Sequence, residues 1–293
     1  MASEPQVNLR SVVRDTPALR KAARRVLRTA RQWAARSHAR ELWTYGRAAA
    51  ARTGNGSHAR NKIRFIVYGQ GRSGTSLLLD LLRSHPDIHC DSEILSRRSS
   101  GRLLSPARYI RAKAMIPPGR AYGCKVKIYE LTEQQGLSDP NAFLRGLADD
   151  GWKVIHLTRT NLFRKAVSLV LAKERGRFTE RRDQGEDIAL GRWTLDPDEV
   201  VTAMRERHRY DLLEAEALDG VPHLSFTYEE DLLRTERHDP TCARIFEHLG
   251  LEPVPVATRL VRTSTDRVRD YVGNYDELIA AVRAVGLEVP AES

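Results

Sequence analysis

The 293-residue sequence predicts an α/β domain, a central parallel sheet flanked by helices, preceded by a basic helical extension. Three observations carry that prediction. From Lys62 onward, apolar β-branched runs alternate with segments of helical period, the pattern that strands joined by crossover helices produce. The first of these runs ends in a glycine-rich turn that opens at once into a helix. The formal charge of +10 lies entirely in residues 1–60, where 13 Lys and Arg face only three acids, Glu4, Asp15 and Glu41. The boundaries that follow are 1–60 for extension and linker and 61–293 for the main domain.

Taken in order, residues 17–50 read as helix. Leu19, Ala23, Val26, Leu27, Ala30, Trp33 and Ala34 recur at spacings of three and four, with arginines on the other side. Such a face either packs on the main domain or lies on an anionic membrane surface, and the sequence leaves both open. Glu4 and the late start of the helix count against a transit peptide. Gly54–Ser57 reads as linker. Arg64–Tyr68 is a strand, and a helix follows at Thr75–Ser84. A loop-rich stretch with Pro106, Pro117 and Pro118 leads to a second strand at Ala121–Ile128. Asn141–Asp150 is helical, Trp152–Thr158 is an apolar strand, and Leu162–Arg175 and Val200–Leu218 are helices. His223–Thr227 is the last strand, and Cys242–Leu249 and Asp276–Ala284 are closing helices.

Composition narrows the class. Hydrophobic residues make up 41% of the chain, enough for a core, and no apolar run approaches 18 residues, so no membrane-spanning helix is expected. Arginines interrupt the N-terminal apolar stretch, which argues against a secretory signal. The cysteines, Cys90, Cys124 and Cys242, are far apart and odd in number, without zinc or disulfide spacing. A reducing, cytoplasmic setting follows. Beyond residue 60 the two charge signs balance, so the main domain has no surplus to offer a nucleic acid.

Residues Gly69 to Ser76 fit the phosphate-loop template of glycine, four residues, glycine and two fixed positions, which makes the domain P-loop-like. The fit fails at Thr75, where an NTPase needs lysine, and the basic residue stands three places earlier, at Arg72. Backbone N–H groups and a helix start here face a phosphate-like anion, not the end of a nucleoside triphosphate. The run Gly-Gln-Gly-Arg-Ser-Gly-Thr-Ser-Leu-Leu (69–78) resembles the 5′-phosphosulfate loop of the sulfotransferases, which use 3′-phosphoadenosine 5′-phosphosulfate (PAPS) as sulfuryl donor. The resemblance implies that Gly71, Arg72, Ser73, Gly74, Thr75 and Ser76 hold that donor. A divergent nucleotide or small-molecule kinase and a plain connecting turn are the alternatives. The plain turn does not explain why Arg, Ser, Thr and Ser crowd one bend, since one cap needs one residue.

A second anchor follows the strand 152–158. Arg159 stands at its carboxyl end, where ligands of such sheets bind, and Ser168 lies on the next helix. This is similar to the sulfotransferase 3′-phosphate motif, with Arg159 as a forked permanent charge and Ser168 as a neutral hydrogen bond. An NTPase would instead place an acid at a strand end to hold magnesium, and no apolar strand here ends in Asp. The resemblance implies no metal. Residues 260–278 look like the family's closing segment, in which Arg262 and Thr263, with Ser264, would cover the nucleotide.

The acceptor side begins at His85-Pro-Asp-Ile-His-Cys-Asp-Ser-Glu93. In bacterial carbohydrate sulfotransferases, including the nodulation-factor type, a similar segment leads to a glutamate that is the proposed general base, and Glu93 matches it. Partial desolvation is expected to raise the pKa of Glu93 toward that task. His89 is the rival base, and His85 reads as a helix-end cap. Gly123-Cys-Lys125 resembles a strand segment near the acceptor, which gives Lys125 the role of offsetting developing charge. The resemblance covers residues 62–283 and implies transfer to a hydroxyl of a carbohydrate or glycolipid. Residues 94–120, rich in Arg and Pro, match nothing in it. A binding relative that has lost its chemistry is the remaining alternative.

Overall fold

The computed structural model describes residues 38–51, 62–176, 192–260 and 267–289. Helix α1 spans 38–51; the first part of the expected 17–50 helix, the Gly54–Ser57 linker, and Arg262, Thr263 and Ser264 lie outside the described residues.

Strand β1 (Ile63–Tyr68) runs through the centre of the sheet, and residues 65–68 have no exposed surface. That burial explains an uninterrupted apolar run: a parallel strand covered on both faces has no reason to alternate with polar residues. After helix α2 (Thr75–Leu82), strand β2 (Ile88–Glu93) forms the edge, and β3 (Ala121–Val126) returns beside β1. Strands β4 (Trp152–Thr158) and β5 (His223–Thr227) extend the other side, giving the order β2-β3-β1-β4-β5 with every pair parallel.

Between them lie α3 (Pro106–Met115), α4 (Pro140–Asp149), α5 (Leu162–Glu174) and α6 (Pro197–Leu218). Helices α7 (His238–Leu249) and α8 (Tyr275–Ala284) close the chain. The helix starts are legible: Ser105, Asp139 and Asn161 each accept a backbone N–H of the first turn, and proline occupies the next position after Ser105 and Asp139.

One face of the sheet (Ile66, Tyr68, Tyr122, Val154) packs under α3, α4 and α6. The opposite face (Phe65, Val67, Ile155, Leu157) packs on α2 and α7, and a third cluster joins α5, α6 and α8.

Two elements depart from the sequence reading. Residues 88–93 were expected as loop and form the edge strand β2; His89, Asp91 and Ser92 are polar because an edge strand has one flank open. Residues 106–115, expected within a loop-rich stretch, form α3, with Pro106 at its start rather than as a breaker. The connection after β1 runs toward β2 and that after β4 runs toward β5. The carboxyl ends of β1 and β4 therefore flank a topological switch, the position at which open α/β sheets bind ligands.

Candidate active site

The glycine loop leaves β1 at this switch. A Cβ on Gly69 would stand 2.3 Å from the Leu157 carbonyl oxygen of β4, so only glycine lets the loop pass. Gly74 is the residue before α2, with φ of +86°, and a Cβ there would meet Tyr228 Cδ2 at 2.6 Å. Gly71 has the Tyr129 hydroxyl 3.0 Å from its Cβ position. Because Gly74 has no side chain, nothing from the cap position covers the first N–H groups of α2. Ser73 is buried, and its hydroxyl has no hydrogen-bond partner among the described residues. Thr75 is buried in the NTPase lysine position. Uncapped N–H groups, a helix dipole and an orphaned hydroxyl together form a cradle for an anion.

Arg72 is the one non-glycine residue with positive φ (69°) among the described residues. Strain of that kind costs about 1 kcal/mol or more and persists where the surroundings require it. Its Nε and Nη2 donate to Ser168 Oγ at 2.9 and 2.7 Å. Arg159 Nη1 donates to the Arg72 carbonyl at 3.1 Å, its guanidinium lies 4.8 Å from the Tyr228 ring centroid, and Glu229 is 3.8 Å from its Nε. Thus Arg159 and Ser168, 87 and 96 residues from Arg72, meet it at one rim. Burial, and then the neighbouring Arg159, pull the Arg72 guanidinium down to about 10. Burial lowers Arg159 as well, with Arg164 adding to the effect. Like charges held this close are relieved by an incoming anion. Glu229 was not singled out in the sequence for any role; its carboxylate also accepts the N–H groups of Thr160 and Asn161 at 3.0 and 3.1 Å, fixing the turn that carries Arg159.

Of the residues the sequence placed on the acceptor side, Glu93 and Lys125 meet on the α2 face of the sheet. A bulge between Asp91 and Glu93 shifts the register, so that Asp91 pairs with Cys124 but Glu93 pairs with Lys125. Paired residues of a parallel ladder share a face, so the bulge turns Glu93 away from the face of His89 and Asp91 and toward α2. Glu93 binds Lys125 at 2.8 Å and Lys127 at 2.6 Å, and Lys125 donates to Ser76 Oγ at 3.0 Å. Lys125 therefore connects Ser76, at the start of α2, to Glu93.

The expected rise in the pKa of Glu93 is overturned. Burial acts upward, but Lys125 and Lys127 outweigh it and hold the carboxyl at about 2. His89 does not reach this cluster: it stacks on Tyr122 and pairs with Asp91 at 3.6 Å, roughly 10–13 Å of strand before Glu93. His85 is structural, with Nδ1 accepting the Asp87 N–H and Nε2 beside the Glu252 carbonyl.

Sequence reasoning missed Lys127 and Glu130. Glu130 is fully buried, accepts the Lys127 N–H at 3.2 Å, and lies 3.6 Å from Lys127 Nζ. Burial, against the pull of Lys127, raises its carboxyl to about 7. Among the described residues no group of three or more His, Cys, Asp and Glu could hold a metal ion, and no helix is long and apolar enough to cross a membrane.

No family model matches the chain. A crystal structure of a sulfotransferase from Alicyclobacillus acidocaldarius aligns over 78% of this chain and 97% of its own, with a TM-score of 0.44 and 16% identity. Over 144 residues, 43% of this chain, the sequence is 31% identical to Nodulation protein H of Rhizobium tropici; it spans 54% of that relative, about half its length. The chain is thus similar in sequence to Nodulation protein H, and its loop and strand-end motifs resemble those of the PAPS-dependent sulfotransferases.

Proposed function

We propose that this chain transfers a sulfuryl group from PAPS to a hydroxyl of a carbohydrate or glycolipid. The observation that carries the reading is the convergence at the β1–β4 switch of an uncapped helix start, the orphaned Ser73 hydroxyl and the Arg72–Arg159–Ser168 cluster. One terminal anion would occupy the first two, and a second phosphate would suit Arg159 and Ser168, with Arg72 of the loop shared by both. The likeness to Nodulation protein H favours a carbohydrate-type acceptor.

The N–H groups at 73–76 and the Ser73 hydroxyl would hold the 5′-phosphosulfate. Ser168 accepts from Arg72 and so keeps its own O–H to donate to the 3′-phosphate beside Arg159. When bound, the donor supplies the sulfuryl group, whose bond to the 5′-phosphate oxygen breaks as a bond to the acceptor oxygen forms. Arg72 offsets the charge left on the phosphate oxygen. Glu93, ionised at neutral pH, takes the proton that the acceptor hydroxyl loses. A carboxyl held at about 2 is a weak base, and Lys125 is what can change that. Standing between Ser76 and Glu93, Lys125 is drawn toward an anion in the loop, and each contact it gives there loosens its hold on Glu93.

The test is incubation of the purified chain with PAPS and a panel of oligosaccharides and glycolipids, followed by mass spectrometry. Addition of one SO3 to an acceptor supports the reading. Phosphorylation of an acceptor from ATP would replace it with a kinase.

A further inference from the structure

We propose that α1 and the segment 97–108 form one docking face for an anionic lipid bilayer. The large hydrophobic side chains exposed among the described residues include Leu42, Trp43 and Leu104, at 68%, 61% and 75% of full exposure. These three belong to elements that are tied together. Buried Glu41 accepts the N–H groups of Leu104 and Ser105 at 3.0 and 3.2 Å and the Tyr45 hydroxyl at 2.5 Å. Arg40 donates to the Ser99 carbonyl, and Arg108 lies 4.8 Å over the Tyr45 ring. The two elements that expose Leu42, Trp43 and Leu104 are therefore held to each other by hydrogen bonds.

The charge around the patch identifies the occupant. Arg40, Arg47, Arg97, Arg98, Arg102 and Arg108 are all exposed. The segment 94–118 contains no acid, and the only acid of α1, Glu41, is buried in the contacts just described. Arg47 also lies 4.8 Å over the Trp43 ring. A bilayer with anionic headgroups offers what this face asks for, an apolar layer for Trp and Leu beneath a negative layer for arginine. A nucleic acid would use the arginines and leave the leucines in water. In sequence, residues 1–36 carry nine Lys and Arg against two acids, Glu4 and Asp15. The segment 97–108 follows Glu93 closely, so a bilayer on this face would border the acceptor side of the site.

The experiment is sedimentation of the full-length chain with phosphatidylglycerol-containing vesicles, phosphatidylcholine vesicles, or duplex DNA. Binding to the anionic vesicles alone, weakening as salt rises, is expected. A triple variant, Leu42→Ser, Trp43→Ala and Leu104→Ser, should bind them at least about tenfold more weakly while keeping the wild-type unfolding temperature. The charge-only variant Arg97→Gln with Arg98→Gln should weaken binding without touching the apolar patch. Unchanged vesicle binding in the triple variant, preference for DNA, or no sedimentation of the intact chain would overturn the proposal. So would a lowered unfolding temperature of the triple variant, which would show that other residues of this chain cover the face.

Discussion

Replacing Glu130 with glutamine removes the one carboxyl in the site whose proton is held by burial. In the folded protein that carboxyl keeps its proton to about 7, against an ordinary value of 4.5. Between those two values the folded state binds more protons than the unfolded chain, so stability falls as pH rises. The full contribution is present below about 4.5 and is lost as pH passes through about 7. The fall amounts to about 3 kcal/mol, since a tenfold change in proton affinity corresponds to about 1.4 kcal/mol. Glutamine does not titrate, and its carbonyl can still accept the Lys127 N–H. Urea unfolding of both proteins at pH 4, 6 and 8 would therefore show the variant gaining about 3 kcal/mol on the wild type across that range. A constant difference at all three pH values would refute the reasoning. It would mean that Glu130 is ionised in the fold and that its pairing with Lys127 outweighs burial.

Three further substitutions probe the site itself. Glu93→Gln should retain the fold and donor affinity but lower kcat by ~10²–10⁴ in the sulfuryl-transfer assay; near-normal turnover would move proton removal to another group. Arg159→Ala should weaken adenosine 3′,5′-bisphosphate binding by about 1.5–3 kcal/mol in calorimetry, with little effect on the Glu93 cluster. Gly74→Ala must hold a left-handed residue against the Tyr228 ring. It should lose about 1–2 kcal/mol of stability in thermal unfolding from the backbone alone, and bind donor more weakly.

Strand 152–158 was legible to the residue because apolar, β-branched sequence between sharp turns has few other fates, and 223–227 because Leu224 and Phe226 alternate with polar residues between turn signals. The glycine loop was legible for a related reason: Gly69 and Gly74 are imposed by close approaches of Leu157 and Tyr228 that only glycine tolerates. What escaped was set by tertiary pairing. Strand β2 has the polarity of a loop because it is an edge, and the bulge that aims Glu93 exists only against β3. The expectation for Glu93 failed because neither Lys125 nor Lys127 was counted as its partner; two cations reverse what burial alone would do. Glu130 carried no sequence signal beyond its place five residues after Lys125, and its raised pKa arises from complete burial.

The central claim is that the loop at 69–76 and the cluster of Arg72, Arg159 and Ser168 form one site for a nucleotide with phosphates at both the 5′ and 3′ positions. Calorimetric titration of the full-length protein with adenosine 3′,5′-bisphosphate, with adenosine 5′-monophosphate, and with ATP and magnesium tests it directly. The account predicts that the bisphosphate binds most tightly and that Arg159→Ala removes most of its advantage over the monophosphate. Preference for ATP and magnesium, or equal affinity for the bisphosphate and the monophosphate, would contradict it.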